Sequence, residues 1–439
     1  MSKKLPESFC LAPFISLSTK PSGELRPCCR IKSEGYYRDS DGELFNLSKN
    51  SFQEVWNSEH AKKLRVAFLK GEKPKECSSC FDLEAVGKKS HRVQAYESLN
   101  YGTSDNTELR EKLAKYMDKM DGHIDFSPLD LDLRLGNICN ARCRSCSSFL
   151  SHPLYMERKS LIKESDREAW DPEIKKWMEE DVEDHQIRGG NDWGTEIPID
   201  LDMLSPDLRR MSFYGGEPTL IKQVEKLILK AIEDDRAKDI NLKIVTNGSE
   251  FNEKWTGYLE HFKSSLIIFS IDGVGKDGEY LRHPLKWKRI EANLKSFLET
   301  KGFRLGKDRV SINFTAQLSN MLSFKSLFSW YSELEKEFGQ SMTFSKQCRL
   351  NWNPLEIPNF LSFGVAPKSL RELAVAELRS CKDYETYGIN DWEGLAKYIE
   401  QVIPIEHLLP QFVSYTRILD KKRNESFEDT FPRLAEFVF

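Results

Sequence analysis

The stretch LDLDLRLGNICNARCRSC, residues 129–146, sets how the rest of the chain is read. Its first seven residues alternate apolar and polar, the period of a β-strand with one covered face. Three cysteines then fall within eight positions, Cys139, Cys143 and Cys146, in the spacing C-x3-C-x2-C. Three thiolates from one short loop can ligate three irons of a cubane cluster and leave the fourth iron open to a small molecule's amine and carboxylate. The competing reading is a structural zinc loop, which requires a fourth protein ligand that this loop does not supply.

From residue 129 onward, short apolar strands alternate with amphipathic helices. Further strands read RRMSFY (209–214), NLKIVT (241–246), SLIIFSI (265–271), VSINFTAQL (310–318) and SMTFSKQCRL (341–350). Between them, Ile221, Val224, Ile228 and Ala231 share one helical face, and Trp287, Ile290, Leu294 and Phe297 share another. Strand–helix alternation implies parallel strands with right-handed crossovers, and six such units predict a partial (β/α)6 barrel with its chemistry at the C-terminal ends of the strands. Residues 129–359 are taken as this barrel, with a charged insertion at 147–207 that carries Trp170, Trp177 and Trp193. The insertion reads as a peripheral helical subdomain, with a substrate lid as the alternative. Residues 101–128 read as a linker and 360–439 as a helical C-terminal region.

Three more motifs stand at strand ends. FYGGEP (213–218) offers Gly215 and Gly216 for close backbone approach to a ligand and Glu217 as an acceptor for an ammonium group. VTNGS (245–249) carries Asn247, and SIDG (270–273) carries Ser270, with Arg282 further on. In spacing and order these motifs resemble the radical S-adenosylmethionine (SAM) superfamily. The resemblance implies a SAM-cleaving [4Fe–4S] cluster on Cys139, Cys143 and Cys146. It also implies SAM contacts from Gly215, Gly216, Glu217, Asn247, Ser270 and Arg282. The residue before the third cysteine is usually aromatic or apolar in that family and here is Ser145, which leaves the adenine contact open.

Residues 1–100 form a second, cysteine-rich α+β segment. Cys10, Gly23 and Cys28 follow the spacing C-x12-G-x4-C, and Cys77 and Cys80 close it as C-x2-C. The alternation in FISLS and the turn PSG predict a β-hairpin that brings Cys10 and Cys28 together, and FQEVWNSEHAKKL predicts a returning helix. This resembles the half-SPASM, or twitch, domain of radical SAM enzymes, although here it precedes the barrel and has no further cysteine pair. The resemblance implies one auxiliary [4Fe–4S] cluster on Cys10, Cys28, Cys77 and Cys80. Cys29 is a rival for Cys28, and a four-cysteine zinc site is the rival for the cluster.

Composition sets outer limits. The chain has 439 residues, enough for two or three domains, with 31% charged and 39% hydrophobic residues and a net charge of −4. That balance gives no electrostatic footprint for nucleic acid, so RNA modification is disfavoured. No apolar run spans a bilayer, and the opening MSKKLPESFC has no secretory apolar core, so the expected compartment is the cytoplasm. On VSINFTAQL, Ser311, Asn313, Thr315 and Gln317 alternate with apolar residues. SMTFSKQCRL repeats the pattern with Thr343, Ser345, Gln347 and Arg349. A polar lumen, to which Arg134 also belongs, follows if the apolar sets face the helices; mutual pairing of these side chains is the plainer alternative. Cys348 and Cys381 read as small buried hydrophobes. The expected activity is reductive SAM cleavage followed by hydrogen abstraction from a polar substrate, a peptide or protein first. Within the family the alternative is a sugar or aminoglycoside dehydrogenase or epimerase; outside it, a non-catalytic zinc or iron–sulfur binding protein. A flavodoxin- or ferredoxin-type reductant is the implied partner.

Overall fold

A computed structural model describes residues 5–85, 87–98, 118–164, 169–189, 201–338, 348–381 and 392–439, with Leu113, Tyr116 and Ile199. Trp193, most of the expected linker and the first seven residues of the last expected strand lie outside the described residues. The chain divides into two compact units. One comprises Met1–Gly136, Thr195–Tyr214 and Ile221–Leu242; the other comprises Asn137–Gly194, Gly215–Leu220 and Lys243–Phe439.

In the first unit, β1 (Ser16–Thr19) pairs antiparallel with β2 (Leu25–Arg26), which is the expected hairpin. Gly23 sits in its turn at φ 93°, and a Cβ there would lie 2.5 Å from Asn46 Oδ1. Only glycine meets both conditions, which explains the glycine in the C-x12-G-x4-C spacing. β1 also runs parallel to β3 (Asp130–Leu133), with Leu17 opposite Leu131, and β3 runs parallel to β4 (Arg210–Phe213). The order is β2-β1-β3-β4, followed by the start of β5 (Asn241–Thr246). The cysteine-rich segment therefore contributes a strand to the same sheet as the first barrel strand, where the sequence suggested a separate domain. Leu17, Leu131 and Met211 are almost fully buried, and a row of apolar residues in register explains the pairing.

In the second unit the rest of β5 is followed by β6 (Ser264–Ser270), β7 (Asp308–Ala316) and β8 (Cys348–Pro354), the last three parallel to one another. β8 continues four residues past the expected end because Asn351, Trp352 and Asn353 pair with Asn313, Phe314 and Thr315 of β7. The apolar face of β7 turns to the helix Phe324–Phe338, with the Phe314 and Phe324 rings 5.5 Å apart. On the opposite face, Ser311 donates to Asn313 Oδ1 at 2.6 Å and Asn351 Nδ2 donates to Ser311 at 2.7 Å, so these polar side chains pair among themselves. The helix Trp287–Leu298 buries Ile290, Leu294 and Phe297, the stripe read from its periodicity.

The insertion contributes the helices His152–Leu161 and Pro172–Gly189. Trp177 packs edge-on against Phe360 and Tyr415, with ring centroids 5.0 and 5.6 Å away. It is thus core between the insertion and the C-terminal region, which is helical as expected, including Lys368–Ser380, Trp392–Gln401 and Leu409–Arg423. Among the described residues no helix is long and apolar enough to cross a membrane.

The first unit is pinned by a buried cation. Arg65, on the helix Glu59–Leu69, is 0% exposed and donates to the carbonyls of Pro13, Trp56 and Gly122 at 2.6–3.0 Å, and to Asn57 Oδ1. Its guanidinium lies 4.3 Å from the Trp56 ring centroid. Burial pushes Arg65 down to about 10, yet three carbonyls and an aromatic face keep it charged at neutral pH. Arg65→Ala strands those carbonyls in a dry site and is expected to cost about 3 kcal/mol or more. Urea denaturation of wild type and variant, followed by tryptophan fluorescence, checks this; an unchanged midpoint would contradict it.

Candidate functional site

The cysteine loop lies in the second unit and has almost no regular structure, so its order comes from outside contacts. Gly216 is in the left-handed region at φ 55°, and a Cβ on it would lie 2.3 Å from Ile138 O. That close approach lets Glu217 N donate to the same Ile138 O at 2.7 Å, joining the GGEP turn to the cysteine loop.

Glu217 is fully buried. Its Oε1 accepts from Thr219 Oγ1 and Thr246 Oγ1, both at 2.7 Å, and from Thr219 N at 3.2 Å; its Oε2 accepts from Asn247 N at 2.6 Å. Burial raises its carboxyl above the ordinary range despite these donors. Asn247 Nδ2 donates to Asn140 Oδ1 at 2.8 Å, and Asn140 Nδ2 donates to Ser249 Oγ at 2.8 Å. The cysteine loop, GGEP and TNGS thus form one hydrogen-bonded assembly.

Ser270, at the end of β6, is half-buried and lines a small cavity with Asp272, Gly273, Arg282, Trp287 and Ile290. Arg282 pairs with Asp272 through Nε at 2.8 Å, and its Nη1 lies 3.8 Å from Cys143 Sγ. Asp272, which the sequence places on one strand face with Ser270, also accepts from Thr315 N at 2.7 Å.

The three thiols respond to shared burial. It pushes Cys146 up to about 12, with Cys143 adding to the shift, and raises Cys139, to which Cys143, Glu217 and Cys146 add. Cys143 is raised by burial as well, with Arg282 opposing. Three thiols that disfavour one another's charge, beside an arginine, form a donor set suited to a cationic metal cluster.

The first unit holds the second set. Cys10, Cys28, Cys77 and Cys80 line one cavity with Ile31, Phe68, Phe81, His91 and Arg92. Burial pushes Cys28 up to about 12, and burial together with Cys28 raises Cys10. Cys29 is not in that lining; its Sγ lies 3.9 Å from His91 Nε2. Although burial opposes ionisation, the His91 contact holds the Cys29 thiol below its usual range. The two adjacent thiols therefore have different surroundings. His91 escaped the sequence reading because it is 62 positions from Cys29 and belongs to no short motif.

The remaining cysteines are structural. Cys348 is 0% exposed, and Tyr331 of the helix Phe324–Phe338 donates to its carbonyl at 2.9 Å. Cys381 ends the helix Lys368–Ser380, with Sγ donating to Glu377 O at 3.3 Å.

Residues 10–81 match the family described as SPASM, an iron-sulfur cluster-binding domain. This agrees with the expectation of such a segment ahead of the barrel. Comparison with curated proteins finds no match. Among solved structures, native anSMEcpe with bound AdoMet is similar at 17% identity and a TM-score of 0.34, over 61% of this chain and 65% of that one. The chain thus spans just under two thirds of that protein. SuiB of Streptococcus suis is similar at 17% identity and a TM-score of 0.35, over 88% of this chain and 71% of that one. SuiB bound to the precursor peptide SuiA gives 14% and 0.32, over 83% and 71%. Likeness at these scores says nothing of what this chain binds.

The raised thiols set a pH dependence. Unfolding returns them to about 9, so the metal-free fold keeps their contribution below that pH and loses it as pH rises from about 9 toward 12. Anaerobic urea midpoints of metal-free protein are therefore expected to fall more steeply over that window than those of iron-loaded protein, whose thiolates are already ionised. Parallel curves would show that the thiols are not a linked group.

Proposed function

We propose that the chain is a radical SAM enzyme with two [4Fe–4S] clusters. Cys139, Cys143 and Cys146 hold the SAM-cleaving one, and Cys10, Cys28, Cys77 and Cys80 hold an auxiliary one. The observation that carries the proposal is the bonded assembly in which Ile138 O accepts from Glu217 N and Asn140 Oδ1 accepts from Asn247 Nδ2. Two motifs far apart in sequence converge there on a three-cysteine loop. The SPASM match over residues 10–81 supports the auxiliary cluster. Cys10, Cys28, Cys77 and Cys80 line one cavity, as the four ligands of a single cluster would.

Cys139, Cys143 and Cys146 would hold such a cluster, which would supply the one-electron reduction needed for SAM cleavage and hydrogen abstraction. The chain's own part is positional and electrostatic. Arg282, fixed by Asp272, sets positive charge against Cys143. Glu217 fixes the Thr246–Gly248 turn, and Gly216, without a Cβ, lets the GGEP backbone close against Ile138 O of the loop; Gly215 and Gly216 are among the proposed SAM contacts. Asn247, Ser270 and Arg282 complete the proposed SAM contacts.

For the substrate we favour a peptide or protein, because the insertion and the tail are large additions to a barrel core. A sugar or aminoglycoside-like molecule is the alternative. A flavodoxin- or ferredoxin-type protein is the proposed reductant.

The test is iron and sulfide per chain after anaerobic reconstitution, with 5′-deoxyadenosine followed after dithionite. About eight irons are expected, falling to about four with loss of deoxyadenosine in Cys139→Ala/Cys143→Ala/Cys146→Ala. Zinc at both sites without SAM cleavage would overturn the enzyme reading; zinc at the N-terminal site alone would remove only the auxiliary cluster.

A further inference from the structure

The Cys139–Cys146 loop must find hydrogen-bond partners for a backbone that is neither helix nor strand. Arg142 N and Arg144 N donate to His283 O and Leu281 O at 2.6 and 3.0 Å, and Ala141 O accepts from Ser151 Oγ at 2.7 Å. Three other carbonyls are taken by the insertion and the tail. Arg142 O accepts from Arg423 Nη2 at 2.8 Å, Arg144 O from Tyr415 OH at 2.7 Å, and Cys146 O from Arg158 Nη2 at 3.0 Å.

The tail is built for this contact. On the helix Leu409–Arg423, positions 412, 415, 419 and 423 form one stripe, and Phe412, Tyr415 and Leu419 are buried on it. Arg423 closes the stripe, its side chain 1% exposed and paired with Glu157 at 2.6 Å. Asn424 then takes the left-handed conformation, φ 53° and ψ 48°, and turns the chain back. The turn brings Glu425 to Arg144 and His283, both at 2.7 Å, beside Asp420, which holds Arg144 at 2.5 Å and accepts from Tyr280 OH at 2.7 Å. Arg144 also lies over the Tyr280 ring, 3.6 Å from its centroid. Arg144 and Ser145 are the two residues between Cys143 and Cys146, so whatever fixes Arg144 constrains the backbone that spaces those two thiols.

We propose that Tyr415, Asp420, Arg423 and Glu425 are positioning residues of the three-cysteine loop. They clamp its backbone in the ligating shape and set the electrostatic surroundings of whatever metal group it holds. The inference rests on the radical SAM reading only in taking that group to be an iron–sulfur cluster responsive to SAM. The tail residues touch the loop's backbone and Arg144, not the sulfurs, so their effect reaches the cluster through ligand geometry and local charge.

The test uses full-length, anaerobically reconstituted protein and the isosteric double variant Asp420→Asn/Glu425→Gln. Two quantities are read: the rate at which a ferrous chelator strips iron, and the midpoint potential of the reduced electron-paramagnetic signal that changes on adding SAM. Removing two negative charges is expected to move that potential upward. Loss of a supporting shell is expected to speed iron loss from that cluster about tenfold, with the second cluster's signal unmoved. Should the double variant fail to fold, Tyr415→Phe removes one hydroxyl and is expected to give faster chelation with a native circular dichroism spectrum. Unchanged chelation and potential in a folded double variant, or unchanged chelation in Tyr415→Phe, overturn the inference and leave the radical SAM reading standing. A wild-type protein with no SAM-responsive signal overturns both.

Discussion

Negative charge on the Cys139–Cys146 loop must be met by positive charge, because burial alone holds its thiols protonated. Arg282 and Arg423 oppose the rise at Cys143, and Arg158 and Arg282 oppose it at Cys146. Each of these arginines is itself anchored by a carboxylate: Arg282 by Asp272 at 2.8 Å, Arg423 by Glu157 at 2.6 Å and Arg158 by Asp181 at 2.6 Å. A buried arginine without a partner would cost several kcal/mol, so the carboxylates are as necessary to the loop as the cations. The arginines and carboxylates around the loop are best described as one charge-balanced set into which its three thiols are packed.

The N-terminal thiols are arranged differently. Their cavity has an apolar side, Ile31, Phe68 and Phe81, and two arginines, Arg30 and Arg92, in its lining; Arg92 pairs with Glu84 and donates to the Glu7 and Phe9 carbonyls. Cys29 stands apart, beside His91, with Asp132 and Arg134 of the β3 region contributing to its electrostatics. Adjacent residues project differently from an extended or turning backbone, which is why a CC pair here serves two environments.

Much of this was legible in sequence where the signal is local. The alternation of β3, the helical stripes of Val224–Ala231 and Ile290–Phe297, and the hairpin between Cys10 and Cys28 depend on neighbours within a few residues, and the structure has them. The Gly23 and Gly216 requirements were visible as glycines but not as reasons, since Asn46 Oδ1 and Ile138 O are supplied from elsewhere. What sequence could not carry were pairings across long separations: His91 with Cys29, Asp272 with Arg282 beside Cys143, and the tail with the loop. The polar row on β7 was legible as a row, yet its use was not. Ser311 and Asn313 pair with each other and with Asn351, while Thr315 N–H is bonded to Asp272.

Glu217 shows how a motif can locate a site without fixing an atom's role. The acid in GGEP invites an ammonium partner, but here Oε1 takes three donors and Oε2 takes Asn247 N. Each carboxylate oxygen has about two acceptor directions, so Oε1 is fully used and one direction on Oε2 is left, on a side chain that is fully buried. The reach of Glu217 toward the cysteine loop therefore runs through Asn247. By holding that residue's backbone, the buried acid fixes an amide that already bonds Asn140 beside the first cysteine. On this argument the glutamate acts as the hinge pin of a turn whose Thr246, Asn247 and Ser249 are themselves buried.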